Sequence, residues 1–287
     1  TVEVIELLKL KAVLVEVDPE TFNICPKAIE KAITPKTKAI IPVHLFGQCS
    51  DMEPIMQIAE KNNLYVIEDN CQAIGAEYTF SNGETKKAGN IGHISCTSFF
   101  PSKNLGCYGD GGAIFTNDDK LAQDIRAIVN HGMVVRYYHE HIGVNSRLDS
   151  IQAAILDIKL KHLDDYAKAR NEAAAIYSQK LGTNPKIKTP VKADFSTHVF
   201  HQYTLIADGF DRNELIKFLT DKKIPAMIYY PVPLHLQNAY SHLGYKEGDL
   251  PITEKLSNTV FSLPMHTELE KDQLDYICDS ILEFVNN

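Results

Sequence analysis

The chain has 287 residues, 44% of them hydrophobic and 23% charged, a balance that sets aside disordered and fibrous proteins and accommodates one large domain plus a smaller one. A net charge of −8 without a long basic run argues against nucleic acid as the partner, because phosphate backbones are held by clustered Lys and Arg. No apolar run has the length of a membrane span and no signal peptide is visible; the six cysteines, none in a CxxC pair, read as reduced small hydrophobes of a cytoplasmic protein.

The sequence opens without Met on VEVIELLKL, a helical pattern, and runs at once into AVLVEVD (12–18), a strand pattern. An opening in mid-domain leads us to expect further polypeptide upstream. Residues 26–33 predict a short helix with Pro in its first turn, and KAIIPVHLF (38–46) a strand weakened at its internal Pro. Ser50–Asp51 is placed to cap a helix over MEPIMQIAEKNN. Strands follow at YVIED (65–69), HISCTSF (93–99) and GAIFTN (112–117), then a helix from Asp118 to about position 129. Residues 150–181 predict one uninterrupted helix, capped by Asp149, with an apolar stripe of Ile151, Ala154, Ile155, Ile158, Leu160 and Leu163. After a polar linker (182–197) come a strand (QYTLIAD), a helix (211–221), a strand (PAMIYY) and a last helix near 270–285.

Alternating strands and helices predict an α/β fold with a mostly parallel central sheet, which binds ligands at the carboxyl ends of its strands. The expected organisation is a large domain (1–148), a long connecting helix (149–181) and a smaller C-terminal α/β domain (182–287). YVIED ends on Asp69 and leads into NCQAIGA; HISCTSF leads into PSKNLG, so chemistry-bearing residues converge on one sheet edge. Glycines 106, 109, 111 and 112 fit neither a P-loop nor a dinucleotide fingerprint and read as turn formers.

The segments EDNCQAIGA (68–76), SFFPSKNLGCYGDGG (98–112) and GVNSRLDSIQAAIL (143–156), together with IIPVHLFGQ, HQYTL, YYPVPLH and SLPMH in the same order, resemble the DegT/DnrJ/EryC1/StrS family of sugar aminotransferases. The resemblance runs along the whole chain. It implies the aspartate-aminotransferase fold (fold type I) and pyridoxal 5'-phosphate (PLP) as cofactor. Lys103 matches the family's Schiff-base lysine, an amine that also shuttles protons as general base and acid once released. Asp69 matches the carboxylate that keeps the cofactor's ring nitrogen protonated; its bland reading is a helix cap. Gln72 matches a residue near the ring's phenolic oxygen, or else a loop side chain bonded to backbone. Ser98 resembles the phosphate-binding serine. Asn145 resembles a residue that reaches the phosphate from a neighbouring subunit, which implies a homodimer with shared active sites; otherwise it is a turn residue.

Arg147 reads equally as a substrate-side cation or a structural ion-pair partner, and His139, Tyr230 and His235 as substrate-binding residues. Family members often carry His where Tyr229 stands. The cluster His131, His139, His141 with Glu140 offers zinc-type ligands without a complete set, so no metal site is expected there. The family also has an upstream Gly-Thr phosphate turn and a ring-stacking aromatic that precede the segment matching Thr1. The implied reaction is amino transfer, with glutamate as donor, to a keto group of a nucleotide-linked sugar for amino-sugar and surface polysaccharide biosynthesis. The alternatives are a PLP-dependent sugar dehydratase on the same scaffold or a truncated non-catalytic dimer partner; a lysine at 103, where dehydratases carry His, favours amino transfer.

Overall fold

The computed structural model describes residues 1–286 and is α/β. Helix α1 (Val2–Leu7) leads into an extended stretch, not the strand expected over 12–18: its one ladder contact is an isolated bridge from Val17 to Ile24. Bonds to distant residues tie it down instead. The Tyr245 hydroxyl accepts from Leu14 N–H and donates to Leu14 C=O, and the Glu16 carboxylate accepts from the N–H groups of Ile252 and Thr253. Helix α2 (Pro26–Ala32) has Pro in its first turn. Strand β1 is only Ala39–Ile40, because Pro42 has no N–H to continue the ladder, and a single bridge joins Val43 to Asp69. Helix α3 (Met52–Asn62) begins after Asp51, whose carboxylate accepts the Tyr78 hydroxyl at 2.6 Å instead of capping the helix.

Strand β2 (Tyr65–Asp69) falls where expected. A hairpin that the sequence patterns did not announce follows, β3 (Glu77–Thr79) and β4 (Thr85–Lys87), then β5 (Ile94–Ser98) and β6 (Gly112–Phe115). Asp118 caps α4 (Asp119–Ile128) through the N–H groups of Lys120 and Leu121. A small hairpin, β7 (Met133–Val135) and β8 (Tyr138–His139), precedes the helices α5 (Ser150–Leu160) and α6 (Leu163–Leu181). The single helix expected over 150–181 is thus two, broken at Lys161–His162, and Asp149 precedes α5 without a side-chain cap bond. The C-terminal part adds β9 (Ile187–Lys188), inside the expected linker, β10 (Tyr203–Ala207), α7 (Arg212–Asp221), α8 (Pro251–Thr259), β11 (Val260–Leu263) and α9 (Lys271–Asn286). PAMIYY is not a strand; only Met227 pairs, with Ser262.

The main sheet has the order β1-β2-β5-β6, with β1, β2 and β5 parallel and β6 antiparallel. Its core gathers Met52, Ile55, Val66, Ala73 and Tyr78. The second sheet, β11-β10-β9, is antiparallel and packs against α6, α7 and α9 through Tyr177, Leu205, Leu215, Leu219, Phe261 and Ile281. A fully buried leucine there contributes about 1.5–3 kcal/mol. Among the described residues no helix is long and apolar enough to cross a membrane.

Candidate active site

Strand alternation sorts the end of β2 into two faces. Val66 and Glu68 are buried on one; Ile67 and Asp69 stand on the other, half-buried. The register pairs Asp69 with Cys96 of β5, so Asp69, Cys96 and, two residues on, Ser98 share a face at the carboxyl edge of parallel strands. On the opposite face Glu68 is wholly buried and fully bonded. Its carboxylate accepts from His44 Nε2 at 2.8 Å and from the N–H groups of Gly89, Ile91 and Gly92. Burial alone would push the Glu68 carboxyl up, but the His44 and backbone bonds outweigh it and hold it below the usual range. His44 Nδ1 accepts from Ser50 N–H, which leaves its proton on Nε2, and His44 N–H donates to the Asp69 carbonyl. The strand carrying Asp69 is pinned from behind.

Asp69 itself is half-buried. Its Oδ1 accepts from Cys71 N–H at 3.2 Å and its Oδ2 from the exposed Thr1 hydroxyl. Burial pushes this carboxyl up as well, and the contacts with Cys71 and Thr1 prevail to keep it below its ordinary value, hence ionised at neutral pH.

Lys103 rides on the turn after β5 and is half-buried, with its N–H donating to Phe100 C=O. Gly106 closes that turn. A Cβ there would lie 2.5 Å from the Pro101 carbonyl oxygen and 2.8 Å from that of Phe100, so only glycine allows this approach. The next residue anchors the turn: Asn104 Nδ2 donates to Val199 C=O, and its Oδ1 lies 3.2 Å from His201 Nδ1. Burial pushes the His201 imidazole down to about 3, helped by the positive charges of Lys103 and Arg170, so it stays neutral beside the lysine. Neither Asn104 nor His201 stood out in the sequence, although HQYTL lay in a matching segment and Asn104 directly follows the lysine.

Gln72 is fixed at both ends. Its Oε1 accepts from Phe46 N–H at 2.7 Å and its Nε2 donates to the Tyr230 hydroxyl at 3.3 Å. Phe46 lies in a turn where Gly47, at φ +109°, packs so close that a Cβ would meet the N atoms of Phe200 and His201 at 2.9 Å. Tyr230, expected as a substrate contact, thus stands beside Gln72. Burial raises its phenol, and the nearby charge of Asp69 adds to this. The Ser98 hydroxyl oxygen accepts from Phe100 N–H, which leaves its own proton free to donate.

Other expected residues stand elsewhere. His235, expected as a substrate-binding residue, is buried, with Nε2 2.9 Å from Glu254. Arg147 is exposed and donates from Nε to Asn145 Oδ1 at 2.9 Å, and His139 Nδ1 lies 2.8 Å from His131 C=O on the small hairpin. No hydrogen bond among the described residues ties Asn145, Arg147 or His139 to Asp69, Gln72, Ser98 or Lys103. The three histidines of 131–141 form no ligand cluster among the described residues; the metal-type grouping that does occur is Asp69, Cys71 and Cys96, which the sequence reading passed over.

Comparison with known proteins matches residues 1–282 to the DegT/DnrJ/EryC1/StrS aminotransferase family. The chain is 51% identical over 276 residues to the pleiotropic regulatory protein of Geobacillus stearothermophilus, covering 96% of this chain and 72% of that protein. It is 44% identical over 281 residues to the UDP-2-acetamido-2-deoxy-3-oxo-D-glucuronate aminotransferase of Pseudomonas aeruginosa, covering 98% and 75%. Among solved structures, a DegT DnrJ EryC1 StrS aminotransferase from Brucella abortus superimposes with a TM-score of 0.92 at 40% identity, over 99% of this chain and 76% of that one.

Proposed function

The chain belongs to the DegT/DnrJ/EryC1/StrS aminotransferase family, and from that premise we propose that it transfers an amino group, with PLP as carrier, from glutamate to the keto group of a nucleotide-linked sugar. The observation that carries this reading is the register that sets Asp69 opposite Cys96, two residues before Ser98 and the turn bearing Lys103, at the carboxyl ends of adjacent parallel strands.

The residues present fit the cofactor. Asp69 is an ionised carboxylate whose Oδ2 faces a place that a donor can reach, because its present donor is an exposed hydroxyl. Bound there, PLP supplies an electron sink and a carrier for the amine. Asp69 holds a proton on the ring nitrogen through its negative charge. Lys103 supplies the amine that fixes the cofactor and, when released, takes and returns a proton through Nζ. Asn104, bonded to Val199 and near His201, keeps the lysine's turn in place, so little reorganisation is needed when the proton moves. Gln72 and Tyr230 form one wall, and Ser98 offers a hydroxyl to the phosphate.

Asn145, Arg147 and His139 stand on exposed structure, which supports their action across a homodimer interface, on a partner's site. The 3-oxo sugar in the name of the Pseudomonas relative supports C3 as the aminated position. A role in surface polysaccharide biosynthesis in the cytoplasm belongs to the same reading, as does the division into large domain, connecting segment and C-terminal domain.

The test is reduction of the PLP-treated protein with borohydride, followed by peptide mapping. A cofactor mass on the peptide containing Lys103 is expected. A protein that takes up PLP on a different lysine, or turns over with Ala at 103, would sink the assignment.

A further inference from the structure

We infer that Asp69, Cys71 and Cys96 form a binding site for one thiophilic divalent cation of the zinc class, and that this cation and the cofactor exclude each other because both use Asp69. The second clause rests on the function proposed above; the first does not.

The ladder between β2 and β5 sets Cys96 beside Asp69 on one face. The chain then turns back after β2, with Asn70 N–H on Cys96 C=O at 2.8 Å and Cys71 N–H on Asp69 Oδ1. One ligand atom from each of the three side chains lies within 4.8 Å of the other two. A tetrahedral cation with bonds of about 2.3 Å to sulfur and about 2.1 Å to oxygen spaces its ligand atoms roughly 3.4–3.8 Å apart, so side-chain adjustments of about 1 Å close the site. All three residues are half-buried, which is open enough for entry.

These two cysteines differ from the others that face the cores. Cys49 and Cys278 are buried in apolar clusters, and Cys107 is spent on the carbonyls of Phe99 and Gly109. Cys71 and Cys96 stand within 4.8 Å of each other and of a carboxylate, and Cys96 Sγ makes only a long 3.8 Å contact with the Glu68 carbonyl, against 3.0 and 3.1 Å for Cys107. Without a cation, the neighbouring Cys96 sulfur, burial and the Asp69 charge all push the Cys71 thiol up. A cation reverses that balance: two S–H bonds break, two protons pass to solvent, two metal–sulfur bonds form, and no electron moves. The Thr1 hydroxyl now on Asp69 Oδ2 is exposed and returns to water without leaving a buried group unpaired. The fourth position is open to water or chloride.

The test uses the whole protein, reduced and stripped of cofactor and metal, titrated with Cd²⁺ alone while the thiolate-to-cadmium ultraviolet band is followed. A band that saturates at one ion per chain and is lost in a Cys71→Ser/Cys96→Ser double variant of unchanged melting temperature supports the site. No band in a protein with six titratable thiols, or an equal band in the double variant, overturns it. Should the double variant not fold, Cys71→Ser alone must weaken the band's midpoint at least about tenfold. In a second arm PLP is added first. A Cd²⁺ midpoint that rises in proportion to PLP supports exclusion; an unchanged midpoint, with PLP demonstrably fixed on Lys103, overturns it. If PLP does not bind, the proposed function fails while the first arm still decides the cation site.

Discussion

The floor made by the ends of β2 and β5 and the arm over residues 131–148 were both expected to carry site residues, and they are built in opposite ways. In the floor every second residue is buried, and the Glu68 carboxylate alone gathers four donors. The arm shows Tyr137 74%, Tyr138 69% and Ile142 99% exposed, and among the described residues Arg147 hydrogen-bonds only its near neighbour Asn145. A site built on rigid elements holds its groups before a ligand arrives; one on an open arm is completed by another surface. The difference teaches that the backbone carrying Asp69 and Lys103 is held by contacts within this chain, whereas Asn145, Arg147 and His139 stand on exposed structure, as the proposed shared site requires.

The largest effect should come from the floor. Lys103→Ala is expected to lower turnover by about 10³-fold or more, with the melting temperature nearly unchanged, measured by amino transfer and thermal scanning. The arm should also be essential, but exchangeable. Asn145→Ala is expected to be nearly inactive alone, and mixing it with Lys103→Ala should restore measurable turnover through dimers holding one intact site. Failure to restore it, when each variant is folded and mixed dimers form, would remove the shared site.

Support behind the floor should appear as stability. Glu68→Ala orphans His44 Nε2 and three N–H groups and is expected to cost about 3–5 kcal/mol in urea unfolding at pH 7. The pH dependence has a definite sign. The folded Glu68 carboxyl lies below its unfolded value, so its contribution is complete above the unfolded value of about 4.3 and is lost as pH falls through the lower folded one. The gap between wild type and Glu68→Gln should therefore narrow in acid; a gap that widens would contradict an ionised Glu68 carboxylate. The smallest effect belongs to the arm: Arg147→Ala should change stability by about 0.5 kcal/mol or less, whatever it does to activity.

The floor was legible because it is local. Val66 and Glu68 alternate with Ile67 and Asp69 at a strand's period, and the lysine follows the neighbouring strand by a few residues. What failed to read depended on distant partners. Residues 12–18 alternate like a strand, yet no strand pairs with them along their length, and Leu14 and Glu16 bond instead to Tyr245, Ile252 and Thr253. His235 has the chemistry of a ligand contact, but Glu254 claims it in the fold. Asn104 and His201 meet only because the C-terminal part folds back over the turn. The break at Lys161–His162 carries neither Pro nor Gly to announce it.

That break sets the start of α6, and α6 is common property. Leu163 packs beside Phe99 and Leu105, Ala167 against the core of the main sheet, and Ala173, Ala174, Tyr177 and Leu181 against the second sheet. Arg170, between them, donates to the carbonyls of Phe200 and Met265. The two sheets consequently share this helix as a common wall. Heat or denaturant should take both apart in one cooperative melt, and a polypeptide cut at the Lys161–His162 step would deprive each half of part of its wall.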